Sequence, residues 1–126
     1  MIVYLSGPIT GMRDRNRRNF SKVHKKIEEI LTGQKPLQII NPNKLAEIVE
    51  FQFSGKNRNL YHVIKPQWSD YMRYCIENLV RASCVYFLKG WQKSKGATLE
   101  RHIAETLGIP CAETVEELLT IYRSEP

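Results

Sequence analysis

The sequence predicts a single α/β domain over residues 1–126, Rossmann-like and three-layered, with a parallel sheet of four or five strands. Three observations predict it. Short β-rich runs alternate with amphipathic segments along the chain. The run at residues 84–88, CVYFL, is almost wholly apolar, as a strand covered on both faces must be. Turn residues follow the first two runs directly: Gly7-Pro8 after the first and Asn41-Pro42-Asn43 after the second. Alternation of this kind forms βαβ units with helices on both faces of the sheet.

Each element has its own signal. Ile2–Ser6 (IVYLS) is β-rich and stops at Gly7-Pro8. A helix follows with Phe20, Val23, Ile27, Ile30 and Leu31 on one face, and Gly33 is its expected C′ residue. Residues 37–40 (LQII) form the second strand. Asn41-Pro42-Asn43 halts it and can cap a short helix around 44–49. Residues 50–66 are less regular, and a hairpin, a lid and a loop all fit their alternating aromatic and polar residues. Ser69 is the expected N-cap of a helix carrying Tyr71, Met72, Cys75, Ile76, Leu79 and Val80, with Trp68 anchoring its start. The third strand leads through 89–95 into a helix at Gly96. Residues 109–112 (IPCA) are a short fourth strand, and Thr114 with Glu117 forms a capping box for the last helix.

The totals exclude several classes. With 126 residues the chain can bury a proper core without staples. A composition of 42% apolar and 25% charged residues is that of a folded globular protein. The three cysteines, Cys75, Cys84 and Cys111, are widely spaced without a CxxC, which predicts free thiols in a reducing compartment. The apolar start is too short for a signal h-region or a membrane span, so a cytoplasmic protein with no membrane partner is expected. His24, His62 and His102 show no metal-ligand spacing, and neither a metal nor another cofactor is expected.

The net charge of +6 is concentrated in residues 13–26, where Arg13, Arg15, Arg17, Arg18, Lys22, Lys25 and Lys26 face one Asp14. Such a run is either a solvated helix face or an attractor of anions. Nucleic acid would suit the charge, but no helix-turn-helix, zinc-finger or RNP-like pattern accompanies it, so it is not the favoured partner.

Three constellations carry chemistry. Gly7 and Gly11 sit between a strand and a basic helix start that includes Arg13, where bare backbone N–H groups can approach a phosphate; an ordinary glycine turn is the bland alternative. In GWQKSKGATLE, Ser94 precedes Gly96 as an N-cap whose hydroxyl could also meet phosphate or sugar, and Trp91 could wall a base or merely anchor the loop. The third is Glu100. Ile103, Ala104 and Leu107 follow it by three, four and seven residues, so all four share one helix face and a carboxylate falls on the buried side. A buried carboxylate needs partners. It is either satisfied by a nearby Tyr or Arg or it is a nucleophile or base at the bottom of a cleft.

YLSGPITGM, NPNKL, WSDYMR and GWQKSKGATLE, in that order across residues 2–112, resemble the Rossmann-like family of nucleoside 2-deoxyribosyltransferases, and more narrowly an uncharacterised bacterial and phage subfamily, DUF4406-like. The resemblance implies a nucleoside or nucleotide as small-molecule partner and cleavage or transfer of its N-glycosidic bond. It implies that Glu100, in the Gly96-x-x-x-Glu100 step, is the nucleophile and that the Tyr4 hydroxyl holds it. It also implies that Ser6, Gly7 and Ser94 belong to the site, with phosphate at Ser94. With the turn at Asn41, these groups form one rim at the carboxyl ends of the strands. Homo-oligomers are common in this fold, and the same is expected here. One departure stands out. The family's middle-helix acid, eight residues before the residue that opens the third strand, is Cys75 here, counted from Ser83. A thiol is a poor donor to a leaving base, and loss of a general acid removes roughly 10²–10⁴-fold of rate. The sequence therefore supports two readings, a glycosidic-bond enzyme and a non-catalytic nucleotide-binding or sensing module. A nucleic-acid-associated basic protein is a weaker third.

Overall fold

The structure, a computed structural model, describes residues 1–33, 35–56 and 65–125. Among the described residues four strands, β1 (Ile2–Ser6), β2 (Gln38–Ile40), β3 (Cys84–Phe87) and β4 (Cys111–Ala112), form one sheet in the order β2-β1-β3-β4. Every pairing is parallel, with Tyr4 opposite Ile40 on one side and Val85 on the other. Among the described residues the helices are α1 (Arg17–Ile30), α2 (Pro42–Lys56), α3 (Trp68–Leu79), α4 (Lys95–Thr106) and α5 (Val115–Ser124). This is the α/β, Rossmann-like domain expected from the sequence, with four strands.

Strand alternation divides the core. Val3 and Leu5 point to one face of the sheet and pack with Phe20 and Ile27 of α1, with Leu31 just past its end, and with Leu118 of α5. Tyr4, Val85 and Phe87 point to the other face, against Leu45 of α2, Cys75 and Leu79 of α3 and Ala104 of α4. The two clusters sandwich a largely buried central pair of strands, β1 and β3, as the apolar run in β3 requires. The strand order reverses between β1 and β3. Ligand crevices in open parallel sheets lie outside the carboxyl ends of the strands at such a switch point.

Several local expectations need correction. α1 ends at Ile30 with Leu31 as its C-cap, so Gly33 lies beyond the C′ position; Ile30 is exposed, whereas Leu31 is buried. The short helix expected around 44–49 runs from Pro42 to Lys56. Pro42 suits a first helical position, and Asn41 Oδ1 accepts the Asn43 N–H at 3.0 Å. The region 50–66 is therefore helical in its first part, and residues 57–64, with His62, lie outside the described residues. α3 starts two residues earlier than a Ser69 cap allows. Gln67 is the N-cap, and the Asp70 carboxylate accepts the Gln67 N–H at 2.7 Å in a reciprocal capping box. Leu107 is exposed because α4 ends at Thr106, with Gly108 in the left-handed region just past the Leu107 cap. Thr114 caps α5 by accepting the Glu117 N–H, while the Glu117 side chain reaches the Glu113 N–H rather than that of Thr114. None of the described helices is long and apolar enough to cross a membrane.

Candidate active site

Glu100 lies on α4, one helical turn in, and is 5% exposed. Its two oxygens have different partners, both from β1. The Tyr4 hydroxyl donates to Oε2, and the Ser6 hydroxyl donates to Oε1 at 2.7 Å. Tyr4 and Ser6 are two residues apart on one strand, so both face the same side, and α4 packs there. The geometry answers the cost of burial: each oxygen accepts one hydrogen bond and keeps a second lone pair. Burial raises the Glu100 pKa to about 7, although the hydrogen bonds from Tyr4 and Ser6 pull it down. Burial, together with Glu100 and Cys75, holds the Tyr4 phenol well above its ordinary range. Burial and Glu100 push the Cys75 thiol up to about 12. At neutral pH the group that titrates in this cluster is thus the glutamate.

Glu100 opens into a cavity of about 300 Å³, a volume at the lower end of small-molecule sites. The cavity lies where the switch-point rule places it. Gly7 and the Ile9–Gly11 turn follow β1, and Ser94, Gly96 and Ala97 begin the helix after β3. Gly7 is required by close approach: a Cβ there would lie 2.9 Å from Leu88 Cβ and 3.3 Å from the Phe20 ring. Gly11 is required by conformation, at φ +80°. Ser94 caps α4, its Oγ accepting the Ala97 N–H at 3.1 Å. The first-turn N–H groups of a helix have no intrahelical partner, and the helix dipole adds positive potential at this end.

The third wall comes from α3. Trp68, Tyr71, Met72 and Cys75 share one helix face and line the cavity. The Lys95 ammonium lies 4.3 Å from the centre of the Trp68 ring. Arg15 also lines the cavity, 5.9 Å from the centre of the Tyr71 ring and ion-paired with Glu50 of α2. Glu100 is the sole carboxylate lining the cavity among the described residues.

The structure brings together Glu100, Tyr4, Ser6, Gly7, Gly11, Ser94 and Gly96. It leaves Arg13, Asn41 and Trp91 outside the lining. Arg13 is exposed, and Arg15, two residues on, provides the cavity's guanidinium. The Asn41 side chain is engaged at the start of α2. Trp91 packs tilted against Phe87 at 5.2 Å and donates its indole N–H to Glu113 at 2.8 Å, so it is a loop anchor. Trp68 does more than anchor a helix start. The sequence marked it only as a helix-start anchor and Tyr71 only as part of an apolar stripe on α3, a pattern that core packing produces equally well. Asp70 is engaged in its cap and does not line the cavity. His102 is exposed, and no group of three or more potential metal ligands occurs among the described residues.

A family model described as a domain of unknown function, DUF4406, matches residues 1–113, so the match covers the sheet, α1 to α4 and every residue of the cavity, and the chain belongs to that family. None of the curated proteins and none of the solved structures compared with the chain matches it.

Proposed function

We propose that this DUF4406 protein binds a nucleoside or nucleotide in the β1–β3 cavity and cleaves or transfers its N-glycosidic bond, with Glu100 as nucleophile. The observation that carries the reading is the buried Glu100 carboxylate, fixed at both oxygens by Tyr4 and Ser6 and facing a ligand-sized cavity. A carboxylate held this way can form a covalent bond to an anomeric carbon, the role that the resemblance to nucleoside 2-deoxyribosyltransferases gives it. In the first step a Glu100 oxygen bonds to C1′ and the C1′–N bond breaks, its electron pair leaving with the base, which takes a proton from solvent. In the second step water, or an acceptor base, attacks C1′; the Glu100 O–C1′ bond breaks with its electron pair returning to the carboxylate, and the attacking group gives up a proton to solvent. Tyr4 and Ser6 keep the attacking oxygens in place, and negative charge at Glu100 stabilises the oxocarbenium-like transition state.

Trp68 and Tyr71 provide aromatic walls for a base, and Gly7, Ser94 and the α4 N-terminus face the sugar and any phosphate. Small-molecule chemistry in the cytoplasm and self-association belong to the same proposal. Phe51 and Ile48, exposed on α2, supply an apolar surface for a second copy.

Cys75 favours a second reading. It lines the cavity in place of a carboxylic acid, and its thiol holds its proton up to about pH 12. Among the described residues the cavity has no carboxylic acid besides Glu100 to protonate a leaving base, which fits a binding module that no longer turns over. Incubation with a panel of deoxyribo- and ribonucleosides and their monophosphates, followed by chromatography for free base, separates the two. Base release supports the enzyme, and a thermal shift without release supports the module.

A further inference from the structure

We propose that Arg15 is the residue that selects a phosphorylated ligand over its nucleoside, and that Glu50 holds the guanidinium until a phosphate displaces it. The inference rests on reading the cavity as a nucleotide site and deepens it by naming the phosphate-bearing ligand class.

The backbone around Arg15 is the first observation. Asp14, Arg15 and Asn16 are consecutive non-glycine residues in the left-handed region, at φ 50°, 55° and 57°. L-residues avoid this conformation, and a run of three is rarer than an isolated case. Residues held there cluster where the surroundings over-determine them, often at ligand clamps. Here Asn16 is buried and its Oδ1 accepts from Asn19 Nδ2 at 2.7 Å, which ties the turn to the first turn of α1. The turn thereby directs Arg15, out of all the cations of the basic run, to the cavity wall.

The second observation is the partner. The Arg15 guanidinium bonds Glu50, and the two side chains are 39% and 41% exposed. A half-exposed ion pair is weak and easily exchanged. A phosphate monoester carries close to two negative charges at neutral pH and presents three acceptor oxygens. It therefore competes well against one carboxylate for a guanidinium fork. The third observation is the setting. The Gly7–Gly11 turn and the α4 N-terminus line the same cavity as Arg15, so a phosphate there meets backbone donors as well as the cation. Arg17 does not compete for the role, being absent from the lining.

The test is calorimetric titration of 2′-deoxynucleosides, their 5′-monophosphates and inorganic phosphate into the wild type, Arg15→Gln, Arg15→Lys and Glu50→Gln. The wild type should bind a monophosphate at least about tenfold more tightly than its nucleoside. Arg15→Gln should weaken the monophosphate about 10- to 100-fold and change the nucleoside by less than about threefold. Arg15→Lys, which keeps the charge but not the fork, should fall between, and this separates loss of the cation from loss of the fold. Glu50→Gln should tighten the monophosphate several-fold. Equal affinities for nucleoside and monophosphate, or equal weakening of both by Arg15→Gln, would overturn the selection. Weakening of the monophosphate by Glu50→Gln would overturn the displacement. If neither nucleosides nor monophosphates bind, the reading of the cavity fails and this proposal with it.

Discussion

Glu100 is where burial and function meet. Its carboxyl ionises at about pH 7 in the folded protein against 4.5 ordinarily, so between those values the folded chain binds more protons than the unfolded chain. Stability therefore falls as pH rises through this window and levels off above it, by an amount on the order of 3 kcal/mol. Glu100→Gln removes the titration while keeping the shape, since Tyr4 can still donate and Ser6 can turn to accept. Urea denaturation at pH 8 should find the variant more stable than the wild type by up to about 3 kcal/mol, with the difference shrinking towards pH 4. The stability that the wild type gives up is what keeps the proposed nucleophile in place. Tyr4→Phe works the other way. It removes a donor that lowers the Glu100 pKa, so the rising limb of any activity–pH profile should move to higher pH than in the wild type. Glu100 was legible in the sequence from its helix period, whereas Tyr4 and Ser6 as its partners came only from the resemblance to the transferase family. Arg15 as the cavity's guanidinium was not legible, because its direction depends on three left-handed residues that no periodicity announces.

The elements that carry these residues meet at glycines, and their tolerances differ. Gly7→Ala places a methyl against Leu88 Cβ at the junction of two central strands, where neither backbone has room to give. Chemical denaturation should show a loss of about 1–3 kcal/mol, the usual cost of overpacking. Gly96→Ala meets chiefly the flexible Met72 side chain, its sulfur 3.3 Å away, with Ser94 Oγ in ordinary contact at 4.0 Å, and should cost much less while intruding on the cavity. Ser94→Ala removes the α4 cap and should cost about 1 kcal/mol. Element type was readable from the pattern, and ends were readable where a common capping residue stood, as at Ser94 and Thr114. The start of α3 escaped because Gln67 is an unusual cap and Ser69 a commoner one. The length of α2 escaped because its apolar residues fall on all sides, with Leu45 buried and Phe51 77% exposed, so no single stripe traces a helix.

Across the whole molecule, the site is made by topology. The cavity draws on the ends of β1 and β3, the left-handed turn before α1, and one face of α3, segments that lie far apart in sequence and meet at the switch point of the sheet. Alternation of strands and helices was enough to predict that convergence for the Gly7 and Ser94 turns. It could not place α3, because strand order and helix packing are set by long-range contacts, and the stripe Trp68–Tyr71–Met72–Cys75 reads as core from sequence alone. The exposed apolar surface of α2 leads to one expectation at this scale: sedimentation should show an oligomer, and Phe51→Asp should shift it towards monomer without unfolding it. The central claim, that Glu100 performs the bond-breaking step, is tested most directly by comparing free-base release from the best-bound nucleotide by wild type and Glu100→Gln, with binding of both measured by calorimetry. The account predicts at least a 10³-fold loss of release with affinity changed by no more than about tenfold. Release at the wild-type rate from Glu100→Gln would contradict it.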